Sequence, residues 1–342
     1  MIVHFPIALI ITGFLIDIVG LFFRRVSILP RMSTVLYGLG ALGAIFSVIS
    51  GESAAETVEV AGQASAILAD HEDIGEITMW FFSIYALLRI VLWWQSFRLT
   101  YWIPLAVIGG IGLVPLYQAS SFGGRLVYER GIGVAAVDSM ASLLQEKERA
   151  LARLDVAAEF SGLEENGAWK WQAGTNAAHT FESTFDITIG EVVVETVAGA
   201  EGGSLLALTV RQSPVLITYG SPVSNVEFLA VMDLSEFNGS VRLIHHAQDS
   251  LSYHFMEVGD GQVALGVLAG GEEEIQEENA WSTQSETVDF RIVGDKTHFR
   301  GYVDGNLLVH GHGPAPGPGV AGFVLMGSGT ITFEKMELTV LR

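Results

Sequence analysis

The chain is 342 residues long, half hydrophobic, free of cysteine and formally charged at −20. A mean hydropathy of +0.42 beside that charge requires the apolar and acidic residues to be segregated, and the apolar ones crowd the first third while most of the acids lie after it. This composition excludes disulfides, thiolate zinc sites, cysteine-ligated iron–sulfur clusters and covalent c-type haem, and the acidity argues against partners bound through phosphate, whether nucleic acid or anionic headgroups.

Four apolar runs open the chain. Ile2 to Phe23 is long enough to cross roughly 30 Å of hydrocarbon. It lacks a basic leader and a small-residue cleavage site, so it reads as a retained helix. Further spans are predicted at about Ser33–Ile49, Ile74–Phe97 and Tyr101–Tyr117. Arg24, Arg25 and Arg31 lie in the first loop and Arg98 in the third, whereas the second loop carries Glu52, Glu56, Glu59, Asp70, Glu72 and Asp73. Basic loops favour the cytoplasm, which puts the N-terminus and everything after Tyr117 outside. Trp93, Trp94, Tyr101 and Trp102 flank the inner turn, as interfacial rings do. Gly38, Gly40, Gly43 and Ala44 on the second span, and Gly109, Gly110 and Gly112 on the fourth, allow close helix approach.

Ionisable groups within the spans need partners. Asp17 lies about 20 Å below His4 along the first helix, and Arg89 about 27 Å below His71 along the third. The similar depths predict an Asp17–Arg89 ion pair that sets helix register, with a proton pathway as the alternative. His4 and His71 both lie at outer ends of spans. Two neutral imidazoles facing each other across a bundle can ligate a b-type haem; a capping or interfacial role is the other reading.

Ala135 to Phe160 has helical spacing of Val137, Leu144 and Leu151 and is expected to be an amphipathic linker helix, followed by a hinge from Ser161-Gly162 to Gly167. The expected domains are therefore 1–134 in the membrane, 135–166 as linker, and 167–342 outside. From Trp169 on, short β-branched and aromatic runs alternate with turn residues, among them Val226–Asp233, Val241–His245, Leu251–Val258, Thr287–Val293, His298–Val303, Leu307–His310, Ala321–Met326 and Thr330–Val340. Asp260-Gly261 and Asp304-Gly305 are hairpin signals. The pattern predicts an all-β antiparallel sandwich after a four-helix transmembrane bundle.

Chemistry is sparse in the outer part. Glu191 and Glu195 have a spacing that paired glycosidase carboxylates can adopt, but only Val192-Val193-Val194 lies between them, and no enzyme activity is expected. Glu272-Glu273-Glu274 with Glu277-Glu278 reads as a solvated acidic loop. His310 and His312 share one strand face. A two-residue turn at Asp304-Gly305 places His298 opposite Gly311, whereas a three-residue loop brings it beside His312; surface histidines are the favoured reading and no metal set is assigned. His245 and His246, being adjacent, are expected on opposite faces and unable to share an ion.

The opening His4-Phe5-Pro6-Ile7-Ala8-Leu9, Asp17, the Gly38–Gly43 run, His71, Arg89 and Gly123-Gly124-x-Leu126-Val127-Tyr128-x-x-Gly131-x-Gly133-Val134 resemble a family of four-helix bacterial membrane proteins of unknown function. Its members are frequently joined to electron-transfer modules, so the resemblance implies a redox membrane setting. The stretch from Asp233-Leu234-Ser235-Glu236 to Phe333-Glu334-Lys335-Met336 resembles concanavalin-like, laminin-G-like jelly rolls, a fold of sugar binders, glycosidases and adhesion modules alike. Three functions are expected from these features. The leading one is a non-catalytic accessory subunit of an inner-membrane electron-transfer complex, photosynthetic reaction centre or respiratory, that contacts other subunits and the bilayer, with bound lipid or pigment. The others are a b-type cytochrome using His4 and His71, and a membrane-tethered carbohydrate binder.

Overall fold

The computed structural model describes residues 3–23, 26, 28–55, 60, 62–94, 101–132, 163–199, 203–282, 285 and 287–341. The chain divides into two compact units, one of Met1–Thr57 with Ile67–Gly131 and one of Val58–Ala66 with Ile132–Arg342. The expected linker helix Ala135–Phe160, its Ser161-Gly162 hinge, and Arg24, Arg25 and Arg98 lie outside the described residues.

The first unit holds α1 (His4–Phe22), α2 (Leu29–Ala55), α3 (Gln63–Trp94) from Ile67 on, and α4 (Trp102–Tyr128), all four long and apolar enough to cross a membrane. Burial follows a seam. Pro6, Ile10, Gly13, Asp17 and Gly20 on α1 recur at alternating steps of four and three, as do Trp102, Leu105, Gly109, Gly112 and Leu116 on α4. Such a repeat keeps one stripe of each helix facing its neighbours. Small residues let large ones in: a Cβ on Gly20 would overlap the Trp102 indole, and one on Gly109 would sit 2.7 Å from the Tyr37 hydroxyl. Of the glycines expected to mediate packing on α2, Gly40 and Gly43 abut Ile10 and Pro6, while Gly38 faces open space.

The helices outrun the apolar runs that predict them. α3 starts at Gln63, well ahead of Ile74, because Ala64 to Ala69 is a buried, alanine-rich stretch with strong helix preference. Burial against protein continues the helix where hydropathy alone would end it.

The second unit contains β1 (Trp169–Gln172), α5 (Ala177–Thr184), β2 (Asp186–Ala198), β3 (Ser204–Val223), β4 (Val226–Asp233), β5 (Phe237–Asp249), β6 (Ser252–Gly259), β7 (Gln262–Ala269), β8 (Glu272–Ala280), β9 (Thr287–Asp295), β10 (His298–Val303), β11 (Asn306–His312) and β12 (Gly319–Val340). The path runs β11-β10-β9-β4-β12-β5-β6-β7-β8, with β3 also on β12, β2 on β3, and every pairing antiparallel. It is an antiparallel β-sandwich of jelly-roll type. β12 joins the layers: Val320–Gly329 pairs with β5 and Thr332–Val340 with β4. The two strands expected at Ala321–Met326 and Thr330–Val340 are thus one, bent where Gly329 takes φ +118. Trp169, Trp171, Phe181, Phe228, Phe290, Phe323 and Phe333 fill the space between the layers.

Both hairpin signals form turns with positive φ at each central residue, +49 and +75 at Asp260-Gly261 and +48 and +79 at Asp304-Gly305, matching the twist of the flanking strands. One expectation is corrected. Glu272 to Glu278 is strand β8, paired along its length with β7. Its backbone satisfies the ladder, while Glu273 lies 2.6 Å from the Arg242 guanidinium and Glu277 accepts from the His310 backbone N–H.

Candidate functional site

Asp17 and Arg89 meet in the interior of the helical unit, both fully buried. The guanidinium has five N–H donors, and all five are used. Nη1 donates to Asp17 Oδ2 and, over 2.9 Å, to the Tyr85 hydroxyl. Nη2 donates to Asp17 Oδ1 at 2.9 Å and to Ser33 Oγ at 2.6 Å; Nε donates to Thr34 Oγ1 at 3.2 Å. Tyr37 and Tyr85 present ring faces 4.9 and 5.5 Å from the guanidinium carbon. The Tyr85 hydroxyl passes its own proton to the Leu105 carbonyl at 2.7 Å, so one cluster ties α1, α2, α3 and α4 together.

His4 and His71 fare differently. His4 is exposed near the start of α1, while His71 is half-buried with Nδ1 3.0 Å from the Ala119 carbonyl oxygen and Gly123 against its ring. Neither a hydrogen bond nor a ring contact joins them.

The sandwich assembles histidines that sequence spacing separates. The Asp304-Gly305 turn sets Val303 opposite Asn306 and Tyr302 opposite Leu307, after which one extra residue, Leu308, shifts the register. Gly301 then faces Val309, Arg300 faces His310, and His298 faces His312. The cause is packing: Leu307 covers a cluster on the outer face, whereas Leu308 and Val309 both reach the interior core. Two successive inward residues require a bulge. The expectation that a two-residue turn leaves His298 opposite Gly311 is corrected by that bulge. His298, His310 and His312 each offer a nitrogen, all within 4.8 Å of one another, the one such three-ligand group among the described residues. Burial, then the Arg300 guanidinium, His312 and His298, push His310 down to about 4, so its ring is neutral at physiological pH.

A second correction concerns His245 and His246. His246 has φ +53 at an irregularity between β5 and β6, which cancels strand alternation and brings the two Nδ1 atoms into hydrogen-bond contact. His246 Nε2 lies 2.7 Å from the Ser224 carbonyl oxygen. A carbonyl only accepts, so that nitrogen carries the proton, His246 Nδ1 accepts, and His245 Nδ1 donates. His254 stacks beside them at 5.6 Å from the His245 ring, with Phe299 4.5 Å beyond. Burial lowers all three, His254 to about 4 and His245 furthest, helped by His246 and His254.

Beside the three-histidine group, the same unit grips the segment that precedes and opens α3. Arg291 Nη1 donates to the Val60 carbonyl at 2.8 Å and to Glu227 at 3.1 Å; Glu227 accepts from Gly62 N–H at 2.9 Å. Gln63 Nε2 donates to the Val340 carbonyl, and Ala66 packs on Val293, Tyr302 and Leu341. Nothing in the sequence marks Val60 and Gly62 as partners of residues so far along the chain. Glu191 and Glu195, in contrast, lie exposed on β2.

Residues 1–136 match a family described as Predicted membrane protein (DUF2231). No curated protein matches the chain. Solved structures similar to it include the carbohydrate binding module CBM66 from Bacillus subtilis, at 14% identity and TM-score 0.36, covering 44% of this chain and 94% of that one. Another is a Bacillus licheniformis β-glucanase, at 12% identity and TM-score 0.35, covering 52% and 99%. A Bacillus subtilis protein of unknown function with a galectin-like fold has 11% identity and TM-score 0.37, covering 54% and 100%. These are likenesses of fold and assign no ligand to this chain.

Proposed function

We propose that this multi-pass membrane protein is a non-catalytic accessory subunit of a bacterial inner-membrane electron-transfer assembly, with its sandwich on the periplasmic side. The observation that carries the reading is an open apolar groove of about 490 Å³ between α1 and α2, lined by Phe5, Pro6, Leu39, Leu42, Phe46 and Ile49 among others. A groove of this kind suits lateral contact with a partner helix or an apolar tail, where shape fit rather than hydrophobicity drives association. The interior polar groups support the same reading, because Asp17 and Arg89 are consumed in one another and in hydroxyl contacts. The electron-transfer setting rests on the resemblance of the helical half.

A photo-crosslinking residue in place of Phe46, activated in native membranes, tests the proposal. The expected result is a crosslink to a subunit of a cytochrome- or pigment-bearing complex that comigrates with the chain after mild-detergent extraction. Crosslinks to lipid alone, with the chain migrating by itself, would overturn it. The chain on its own is expected to show a flat reduced-minus-oxidised spectrum. A b-type band lost in His71→Ala would replace the accessory role with electron carriage.

A further inference from the structure

We propose that His298, His310 and His312 bind one late first-row transition-metal ion, Zn²⁺ foremost, on the outward face of β10 and β11. Phe299, Val303 and Val309 point into the sandwich core, and His298 and Arg300, on either side of Phe299, take the opposite face with His310 and His312. Three imidazoles without a carboxylate among them suit Zn²⁺, Cu²⁺ or Ni²⁺ and not Mg²⁺ or Ca²⁺. Zinc holds histidine nitrogens at about 2.0–2.1 Å, so the three nitrogens, within 4.8 Å of one another, would draw closer around a bound ion.

Burial separates this group from ordinary surface histidines. His298 is 3% exposed, and the His310 Nε2 atom is buried with no hydrogen-bond partner. An unmet buried nitrogen costs free energy that a metal ion would recover. The rings also constrain one another, His312 standing edge-on to His298 at 4.7 Å and to His310 at 4.4 Å. β11 is braced where it carries two of the ligands. Glu277 accepts from the His310 backbone N–H, and Gln276 Nε2 reaches the His312 carbonyl. Arg300, opposite His310, opposes a cation, and the carboxylates of Glu277 and of Asp295, the latter opposite His298, counter that charge. Three protein ligands leave the fourth tetrahedral position for water or an exogenous ligand.

The test uses the full chain in mild detergent, purified without a polyhistidine tag, stripped with chelator and titrated with Zn²⁺ by calorimetry and with Co²⁺ by visible spectroscopy. One equivalent of each is expected, with the intense bands of four-coordinate cobalt and a melting temperature raised by Zn²⁺. His310→Gln and His312→Ala are expected to lose the bands and the shift, and His179→Ala to keep both. His312 is exposed, so its variant should melt like the metal-free parent and carries the test even if His310→Gln folds poorly. No uptake by the parent, or equal uptake by His312→Ala, would overturn the proposal.

Discussion

At the scale of single residues, two buried polar groups set the behaviour expected on substitution. Arg89 sits in the helical unit with its five donors engaged, four elements contributing to the cluster. Replacing Asp17 by Asn leaves that guanidinium buried without its counter-charge, a loss of about 3–5 kcal/mol for a broken buried pair. Asp17→Asn is expected to lower the folded yield and melting temperature sharply, and Asp17→Leu with Arg89→Met to recover much of the loss, since an apolar pair of similar volume removes both desolvation penalties. Equal melting of Asp17→Asn and parent would show that the pair does not hold the bundle. In the sandwich, His245, His246 and His254 are all held below their ordinary 6.5 by burial. The unfolded chain therefore takes up protons first as pH falls below 6.5, and stability declines from there towards about 4, where His254 itself titrates. His310 acts in the same direction. His254→Phe keeps the stack on Phe299 and removes one of these protons, so its melting temperature should fall less than the parent's between about pH 7 and about pH 5. Parallel decline of the two would exclude His254 from the acid response.

Elements decide which residues meet, and there the sequence is legible in part. The four spans, the antiparallel sandwich and both Asp-Gly turns follow from hydropathy, period and turn chemistry. The three-histidine group does not, because it depends on the bulge at Leu308. The run Leu307-Leu308-Val309 breaks alternation, the one local sign of that bulge, but which two of the three turn inward depends on the core opposite. The positive φ of His246 is equally a tertiary effect, set by its contact with Ser224 and His245. β8 is hidden for a different reason: a strand whose side chains are nearly all polar, five of its nine residues being Glu, shows no apolar period, although its backbone pairs normally. The grip on Val60–Ala66 is a further long-range feature. Arg291 stacks 4.0 Å over Tyr302 while donating to Val60 and Glu227. Hydrogen bonds to charged groups contribute about 1.5–3 kcal/mol. Arg291→Ala should accordingly speed amide exchange at Gly62 and the first turn of α3 by about tenfold or more, since about 1.4 kcal/mol corresponds to one decade. Unchanged protection in a folded variant would assign the grip to the Gly62–Glu227 and Gln63–Val340 hydrogen bonds and the packing of Ala66.

For the whole molecule, the division of the chain constrains its path across the bilayer. Four spans put the segment between α2 and α3 on the same side as everything after α4. Val58–Ala66 and Ile132–Arg342 indeed form one compact unit, reached by two separate passages of the chain. The proposed periplasmic side rests on charge: Arg24 and Arg25 lie between α1 and α2, Arg31 in the first turn of α2 and Arg98 between α3 and α4, while the chain after α4 is acidic. The absence of cysteine makes this directly measurable, because any introduced thiol is the sole one. Glu52→Cys and Glu272→Cys, both at exposed positions, are expected to react with a membrane-impermeant maleimide in intact spheroplasts, and Thr100→Cys only in inside-out vesicles. The reverse pattern would put the sandwich in the cytoplasm and remove the basis for a periplasmic role. Labelling of Glu52→Cys and Glu272→Cys from opposite sides would break the four-span path itself, since it would require an odd number of crossings where that path has two, α3 and α4.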